Sequence, residues 1–347
     1  MKRLAIPALG LLLICAPAWG QYWVGPMKQV RQLYQDTDGP TQGTISRFGD
    51  SISVSKAYFA PLEWSFTNTT PQSQAAVDWI HGWLTSECWD WQDDGVYYLH
   101  GCDGGTTSSW PIQAAPSTWP DYQSGDRRVD YWLREDNPEI AVIMWGTNDL
   151  SSGLTAVQYK ANLLQVVSAC KANGTIPVLT TAPPRHNYDN GTVASQQRAA
   201  DFAQAVRDLA VEQLVPLIEY HDECTTRNPH DPPNSTWDGA DPMWSAYSGY
   251  EVPTSISRDG VHPSNYSAGR SNFSEYGLDV NGFNLRNYMT LMGSQEVYDL
   301  AIVPEPATLS LLALGGCLAL LRGRKARRRG SSTSIMAFSG RWRTRPD

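Results

Sequence analysis

Basic residues are scarce through most of this sequence. Eleven of its 27 lysines and arginines lie within the first three residues or after residue 321, whereas 34 of its 35 acidic residues lie between these ends. The long middle part is therefore strongly acidic, and it lacks the basic face that a duplex nucleic-acid binder needs. We expect no nucleic-acid partner. The hydrophobic content of 41% nevertheless allows a sizeable core.

Long hydrophobic runs are missing except near the two ends. At the first end, Lys2 and Arg3 precede an apolar run at residues 4–15, and small residues, Ala18 and Gly20, follow it. This order predicts a secretory signal peptide over residues 1–20, cleaved before Gln21. The alternative is an N-terminal membrane anchor, but the run is too short to span a bilayer comfortably.

The second hydrophobic run has a distinctive setting. The sequence Val-Pro-Glu-Pro at residues 303–306 precedes an apolar stretch at 307–321 and an arginine-rich cluster at 322–329. This order resembles the PEP-CTERM sorting signal of exopolysaccharide-producing Gram-negative bacteria. The resemblance implies passing contact with the inner membrane, processing by an exosortase, and a final place at the cell surface or in the extracellular matrix.

An ordinary membrane anchor is the alternative for residues 303–329. The polar tail at 330–347 departs from the family's pattern, in which the signal ends soon after the arginines. The predicted body of the protein is residues 21–302.

Cysteine is rare, and its spacing fits no zinc site. Two of the six cysteines lie in the terminal segments, and the body contains Cys88, Cys102, Cys170 and Cys224. Export would permit disulfides, and the sequence favours them, with Cys88–Cys102 and Cys170–Cys224 as one pairing of the three possible. Buried free thiols are the alternative. The histidines form no ligand-spaced cluster, so we expect neither a metal nor a cofactor.

Apolar strands alternate with amphipathic helices along the body. Periodicity predicts strands at residues 44–48, 140–145, 176–181 and 215–220, and helices at 155–172, 193–214 and 283–300. This order predicts the α/β class, with a parallel sheet and helices on both of its faces. Residues 60–135 and 225–258 break the pattern and are predicted to be long polar excursions that border a site.

Four short motifs occur where strands end or loops are expected. They are Gly-Asp-Ser-Ile at 49–52, Gly-Cys-Asp-Gly-Gly at 101–105, Gly-Thr-Asn-Asp at 146–149 and Asp-Gly-Val-His at 259–262. Each motif alone is common in turns and helix caps. Sites in parallel sheets lie at the carboxyl ends of the strands, which would bring such motifs together.

The four motifs together contain the groups that acyl transfer needs. Ser51 is a nucleophile that requires a base, His262 is that base, and Asp259 would hold the imidazole in its tautomer. The tetrahedral intermediate needs hydrogen-bond donors. The backbone N–H groups of Ser51 and Gly104 and the side-chain amide of Asn148 would provide them.

The order of these motifs resembles that of the SGNH hydrolases, also called GDSL esterases and lipases, over roughly residues 40–300. The family's Ser, Gly, Asn and His match Ser51, Gly104, Asn148 and His262. The resemblance implies a serine carboxylic-ester hydrolase with a three-layer α/β/α sandwich and a flavodoxin-like parallel sheet. Ile52 replaces the leucine of the family name. The second motif lacks an asparagine that many members carry, so Gly105 remains an alternative to Gly104.

Three features favour a sugar substrate: the many tryptophans, the lack of a long apolar run in the two excursions, and a sorting signal typical of organisms that make exopolysaccharide. The sequence contains 14 tryptophans, and aromatic rings stack on sugars, although packing is the alternative role for each of them. We therefore expect a short acyl group, acetyl foremost, on a polysaccharide or oligosaccharide. The tryptophans behind this expectation are Trp79, Trp83, Trp89, Trp91, Trp110, Trp119, Trp132 and Trp145.

Several alternatives to this substrate stay open. They are a lipase or lysophospholipase, a simple-ester hydrolase, an acyl transferase acting on a sugar, and a non-catalytic surface protein that binds glycan.

Overall fold

The computed structural model describes residues 22–36, 42–85, 100–185, 193–227, 255–257, 259–265 and 271–303. Within these residues the chain forms one parallel sheet of four strands in the order β1-β2-β3-β4. The strands are β1 (Ile45–Gly49), β2 (Ile140–Met144), β3 (Ile176–Thr180) and β4 (Leu217–Ile218). Every residue of the first three strands is buried. Burial on both faces of a strand is typical of a parallel sheet covered by helices on both sides.

The described helices alternate with these strands. They are α1 (Val24–Gln35), α2 (Ser51–Val54), α3 (Pro71–Trp83), α4 (Arg128–Asp136), α5 (Thr147–Ser151), α6 (Ala156–Asn173), α7 (Val193–Gln213), α8 (Tyr220–Thr226), α9 (Glu275–Val280) and α10 (Gly282–Val297). Helices α4, α6 and α7 pack in one group, and α3, α9 and α10 pack in another. The predicted α/β class with a parallel sheet is confirmed.

The order in which the chain visits the sheet reverses at β1. Gly49, at the end of β1, pairs with Met144 of β2 and also forms a parallel bridge to Cys102. The chain therefore leaves β1, returns beside it at Cys102, and then enters β2 on the opposite side of β1. Ligands of open parallel sheets bind outside the carboxyl ends of the strands at such a reversal.

The sequence-based boundaries of the helices and strands were close where local signals were strong. Helix α6 begins at a capping box formed by Thr155 and Gln158 and ends at Gly174, whose φ is 81°. The structure thus confirms the helix predicted at residues 155–172, within one residue at each end. The last predicted strand is shorter than expected, because α8 begins at Tyr220.

The prediction of one long polar excursion over residues 60–135 was wrong. The segment contains α3 and α4 as well as loops. Helix α3 starts at a capping box between Thr70 and Ser73, with Pro71 in its first turn; these are strong start signals that the polar composition of the segment obscured. Most of the second predicted excursion, residues 228–254 and 258, lies outside the described residues.

The described cysteines are buried free thiols: Cys102, Cys170 and Cys224. The predicted disulfide between Cys170 and Cys224 is therefore wrong, and the alternative of free thiols holds for both. Cys102 donates a hydrogen bond to the carbonyl of Arg47 at 2.8 Å instead of forming a bridge. Burial raises the pKa of the Cys102 thiol to about 12. Cys88 lies outside the described residues.

The chain divides into two units, Met1–Ile302 and Val303–Asp347. The predicted signal peptide lies outside the described residues. So do the predicted sorting segment, apart from Val303, and the polar tail. Across the part of the chain that is described, no helix has both the length and the apolar character needed to span a bilayer.

We predict that Gly49→Ala destabilises the protein. A Cβ at this position would lie 2.2 Å from Ser53 Oγ and 2.4 Å from the carbonyl oxygen of Met144. Because the second atom belongs to the backbone of β2, the two strands would have to separate. Overpacking of this kind costs about 1–3 kcal/mol, and the loss should appear as a lower free energy of unfolding in denaturant titration.

Gly82→Ala is the matched control for this prediction. Within the described part of the chain, a Cβ at Gly82 on α3 would meet no atom within 4 Å, and alanine favours helix by up to about 1 kcal/mol over glycine. This variant should be neutral or more stable. Equal stability of the two variants would contradict the close approach of β1 and β2.

Candidate active site

The serine of the first motif stands at the carboxyl end of β1. Asp50 caps the short helix α2, and its carboxylate accepts a hydrogen bond from the Ile52 N–H at 3.1 Å. Ser51 is the first residue of that helix and is half-buried. The cap bends the chain sharply after the strand, so that Ser51 stands at the reversal of the sheet.

The structure brings Ser51 together with the last motif, 211 residues later. Ser51 Oγ lies 3.1 Å from His262 Nε2. On the other side of the ring, His262 Nδ1 lies 2.6 Å from Asp259 Oδ2. The three side chains form a continuous hydrogen-bonded row from a hydroxyl through an imidazole to a carboxylate. Such a row allows a proton to leave the hydroxyl while the imidazolium is stabilised.

The two carboxylate oxygens of Asp259 make different hydrogen bonds. Oδ2 contacts the imidazole, whereas Oδ1 accepts hydrogen bonds from the N–H groups of Val261 and His262, each at 2.9 Å. Oδ1 also accepts one from the Ser257 hydroxyl at 2.6 Å. One carboxylate therefore shapes the loop and orients the ring, which is why the local spacing of three residues suffices.

Charge in this row is distributed as general-base chemistry requires. Partial burial alone would raise the pKa of Asp259, but hydrogen bonds from His262, Ser257 and the loop amides outweigh it and lower the pKa below its usual range. The hydrogen bond to Asp259 raises the pKa of His262, against partial burial, which lowers it. The pair thus holds a carboxylate beside an imidazole of increased basicity.

Asn148 and Gly104 lie on the elements that border this row. Asn148 belongs to α5, directly after β2, and its Nδ2 donates to the carbonyl of Thr106 at 3.0 Å. The loop that carries Gly104 begins beside β1, because the Asp103 N–H donates to the carbonyl of Gly49 at 3.1 Å. Gly104 is exposed, and a Cβ there would meet no atom of the described residues within 4 Å. The positive φ of 73° that favours glycine belongs to its neighbour, Gly105.

Sequence reasoning missed two buried arginines that support these elements. Arg286 of α10 donates from Nη1 to the carbonyl of Ile52 and from Nη2 to Ser53 Oγ, both at 2.9 Å. Arg185, which follows β3, donates to the carbonyl of Thr147 and to Ser151 Oγ on α5. Neither arginine lies in a motif, and the only signal was a charge inside an otherwise buried segment.

The Asp50 carboxyl is the second feature that the sequence did not reveal. It is fully buried, and its Oδ2 has no hydrogen-bond partner among the described residues. Burial raises the pKa of Asp50 to about 7; the nearby charge of Asp149 adds to this rise, while the Ile52 N–H, Arg286 and His262 oppose it. A polar residue expected to form an ordinary turn is therefore a buried, weakly acidic group beneath the serine.

Most of the tryptophans that led us to expect a sugar do not line this site. Trp119, Trp132 and Trp145 are core residues. Trp79 and Trp83 stack on each other with centroids 5.1 Å apart, and α3 ends near Gly43, which precedes β1 at the opposite end of the sheet. For these residues packing is the better interpretation.

Trp110 also lies on the loop after the second motif, but unlike Trp119 it is not part of the buried core. It is half-buried, and its ring lies 5.1 Å from the Arg128 guanidinium carbon. Trp89 and Trp91 lie outside the described residues.

One known protein family matches the part of the chain that carries this site. The model of the GDSL-like lipase/acylhydrolase family matches residues 48–266. The chain belongs to this family. The parallel sheet with its two groups of helices is accordingly the SGNH hydrolase fold, and the family is one of enzymes that hydrolyse esters. No curated protein sequence matches this GDSL-like chain.

The solved structures that this chain resembles are distant in sequence. A GDSL-like lipase from Bacteroides thetaiotaomicron is 14% identical, with 80% of this chain and 98% of that chain covered and a TM-score of 0.40. A lipase/acylhydrolase from Enterococcus faecalis is 14% identical, with 74% and 95% covered and a TM-score of 0.38. An acetyl esterase variant with acetate ion is 14% identical, with 76% and 100% covered and a TM-score of 0.39.

We predict that Asp259→Asn lowers the pKa of His262. The carboxylate stabilises the protonated imidazole, so its removal makes the ring lose its proton at lower pH. The acid limb of any activity that needs neutral His262 should then move to lower pH. Titration of the His262 ring signals by NMR measures the change without a substrate.

Ser257→Ala is the control for this titration, because it removes one contact to Oδ1 and leaves the Oδ2–imidazole contact in place. Its effect on the pKa of His262 should be much smaller. An unchanged pKa in Asp259→Asn would mean that the two side chains do not interact in solution.

Proposed function

We propose that this protein is a serine esterase in which Ser51 is the nucleophile, His262 the general base and Asp259 its orienting acid. The observation that carries the proposal is the hydrogen-bonded row from Ser51 Oγ through both ring nitrogens of His262 to Asp259. Membership of an acylhydrolase family supports it independently.

The reaction follows from the order of the groups. His262 accepts the hydroxyl proton as Ser51 attacks the ester carbonyl carbon, and the tetrahedral intermediate places negative charge on the former carbonyl oxygen. Collapse of this intermediate releases the alcohol, which takes the proton from His262. Water then attacks the acyl-serine by the same route, with His262 again as base, and releases the acid.

In this proposal the oxyanion is held by the backbone N–H groups of Ser51 and Gly104 and by Asn148 Nδ2. An amide nitrogen carries two hydrogens, and one of those on Asn148 is engaged by the Thr106 carbonyl. That contact fixes the amide plane and leaves the second hydrogen to donate. Donors fixed in advance stabilise charge at little reorganisation cost.

We propose a short acyl group on a carbohydrate as the substrate. Among the described residues the site is open, since the side chains of His262 and Asp259 are 41% and 50% exposed, and an open site admits a bulky alcohol such as a polymer. The loop beside the serine carries polar residues, among them Asp103, Thr106 and Thr107, which offer no apolar wall for a long chain. The acidic body also disfavours anionic phospholipid.

We further propose that the protein is exported and that its end is removed near Pro306. The support is the signal-like sequence at residues 1–20 and the PEP-CTERM-like sequence at 303–329. Mass spectrometry of the protein recovered outside the cell should find Gln21 as the first residue and no residues from the arginine cluster. Recovery of the chain through Asp347 would instead indicate a retained anchor.

Replacement of the nucleophile tests the function directly. Ser51→Ala should lower kcat by about 10⁴- to 10⁶-fold while the fold is kept, as expected when the nucleophile of a triad is removed. His262→Ala should be equally severe, and the double variant little worse, because the two residues act in one step.

Ser55→Ala is the matched control, since its hydroxyl accepts the Ala57 N–H on the same segment and takes no part in the row. A serine-directed phosphonate should label Ser51 in the unmodified protein. Near-normal turnover in Ser51→Ala would reject the proposed esterase, and an unmodified protein without any turnover would favour a glycan-binding role.

Acyl-chain length separates the candidate substrates. With p-nitrophenyl esters, kcat/KM should be highest for acetyl and fall towards octanoyl, because longer chains would lie against polar side chains. Acetate should also be released from acetylated xylan or pectin. A rate that rises from acetyl to octanoyl would favour a lipase and overturn the carbohydrate assignment.

A further inference from the structure

A buried carboxylate stands directly beside Asn148. Asp149 is fully buried, and both of its oxygens accept the backbone N–H of Ser108, each at 3.0 Å. Oδ1 also accepts the Ser108 hydroxyl. Ser108 in turn accepts a hydrogen bond from Asn162 Nδ2 of α6 at 3.0 Å. The reaction proposed above uses none of these contacts.

Ser108 lies on the same loop as Gly104, and this loop is held from a second side. Thr106 receives the Asn148 amide on its carbonyl at 3.0 Å and the Trp145 indole N–H on its hydroxyl at 3.3 Å. The consecutive residues Asn148 and Asp149 therefore hold the loop at two points, Thr106 and Ser108.

We propose that Asp149 is a positioning residue that holds the two separate parts of the oxyanion site, Gly104 N–H and Asn148 Nδ2, at their working separation. This inference rests on the proposed esterase function. Donors must be held within about 0.5 Å of the productive geometry to be effective, and Gly104 stands on an exposed loop with no strand of its own. The contact to Ser108 ties that loop to the end of β2.

The chemistry of the contact explains why the residue is an aspartate. Ser108 presents two donors, its N–H and its hydroxyl, so the partner has to be a group that only accepts. An ionised carboxylate accepts at both oxygens, whereas an asparagine amide would turn a donor towards one of them. Asp149→Asn therefore changes the hydrogen bonding while it preserves the size of the side chain.

Glu139→Gln provides a matched control for Asp149→Asn. Glu139, directly before β2, is also a buried carboxylate; it accepts the Gly43 N–H at 2.7 Å and pairs with Arg31 at 2.6 Å. It lies at the opposite end of β2 from Asp149. Glu139→Gln should lower stability without affecting kcat. The control therefore separates a general loss of stability from displacement of the Gly104 N–H and Asn148 Nδ2.

The test is a double-mutant cycle on an acetyl ester. Asp149→Asn should lower kcat by roughly 100-fold, a loss comparable to removal of one oxyanion donor, with KM changed by less than about threefold. In an Asn148→Ala background the same change should cost less than about tenfold, because one of the donors that it positions is already gone. Full additivity of the two changes would overturn the inference.

A second measurement does not depend on turnover. NMR relaxation should detect greater mobility at the Gly104 N–H and the Asn148 side-chain amide in Asp149→Asn, and no change at either in Glu139→Gln. Ser108→Ala, which keeps the backbone contact, should give the same effects at smaller amplitude and substitutes for Asp149→Asn if that variant does not fold. Unchanged mobility of both groups would overturn the inference, whereas absence of turnover in the unmodified protein would reject the proposed function.

Discussion

The candidate site depends first on the register between β1 and β2. Gly49 lies opposite Met144. The two strands therefore end side by side, and Ser51 after β1 comes close to the segment after β2 that carries Asn148. The absence of a side chain at Gly49 permits this approach, since a Cβ would meet the Met144 carbonyl. A shift of this pairing by one residue would turn the side chains of a strand to its other face and separate the serine from the amide.

The site at this edge of the sheet combines a contact that is local in sequence with one that is long-range. The Asp259–His262 pair is local, because a single loop with three contacts to one carboxylate oxygen orients it. The contact with Ser51 is long-range, because it joins residues 211 positions apart. The local Asp259–His262 pair therefore meets a serine that only the sheet can bring to it.

Three buried charged side chains make hydrogen bonds to the elements that carry the site residues. Arg286 contacts the serine turn, Arg185 holds the helix of Asn148, and Asp149 holds the loop of Gly104. Buried charges contribute little net stability unless they are well paired. Their arrangement around α2, α5 and the Gly104 loop favours a role in positioning these elements. Directional hydrogen bonds define geometry more narrowly than apolar packing does.

The sequence by itself determined the class of fold, the main strands and helices, and the four motifs, because hydrophobic periodicity, capping residues and short loops are local properties. It also determined the pairing of Asp259 with His262, which three residues of loop suffice to form. Only the tertiary structure decided that Cys170 and Cys224 stay apart, that Trp119, Trp132 and Trp145 belong to the core, and that Arg286 and Asp149 support the site. These outcomes depend on which distant segments pack on the same side of the sheet, and local sequence patterns do not show this.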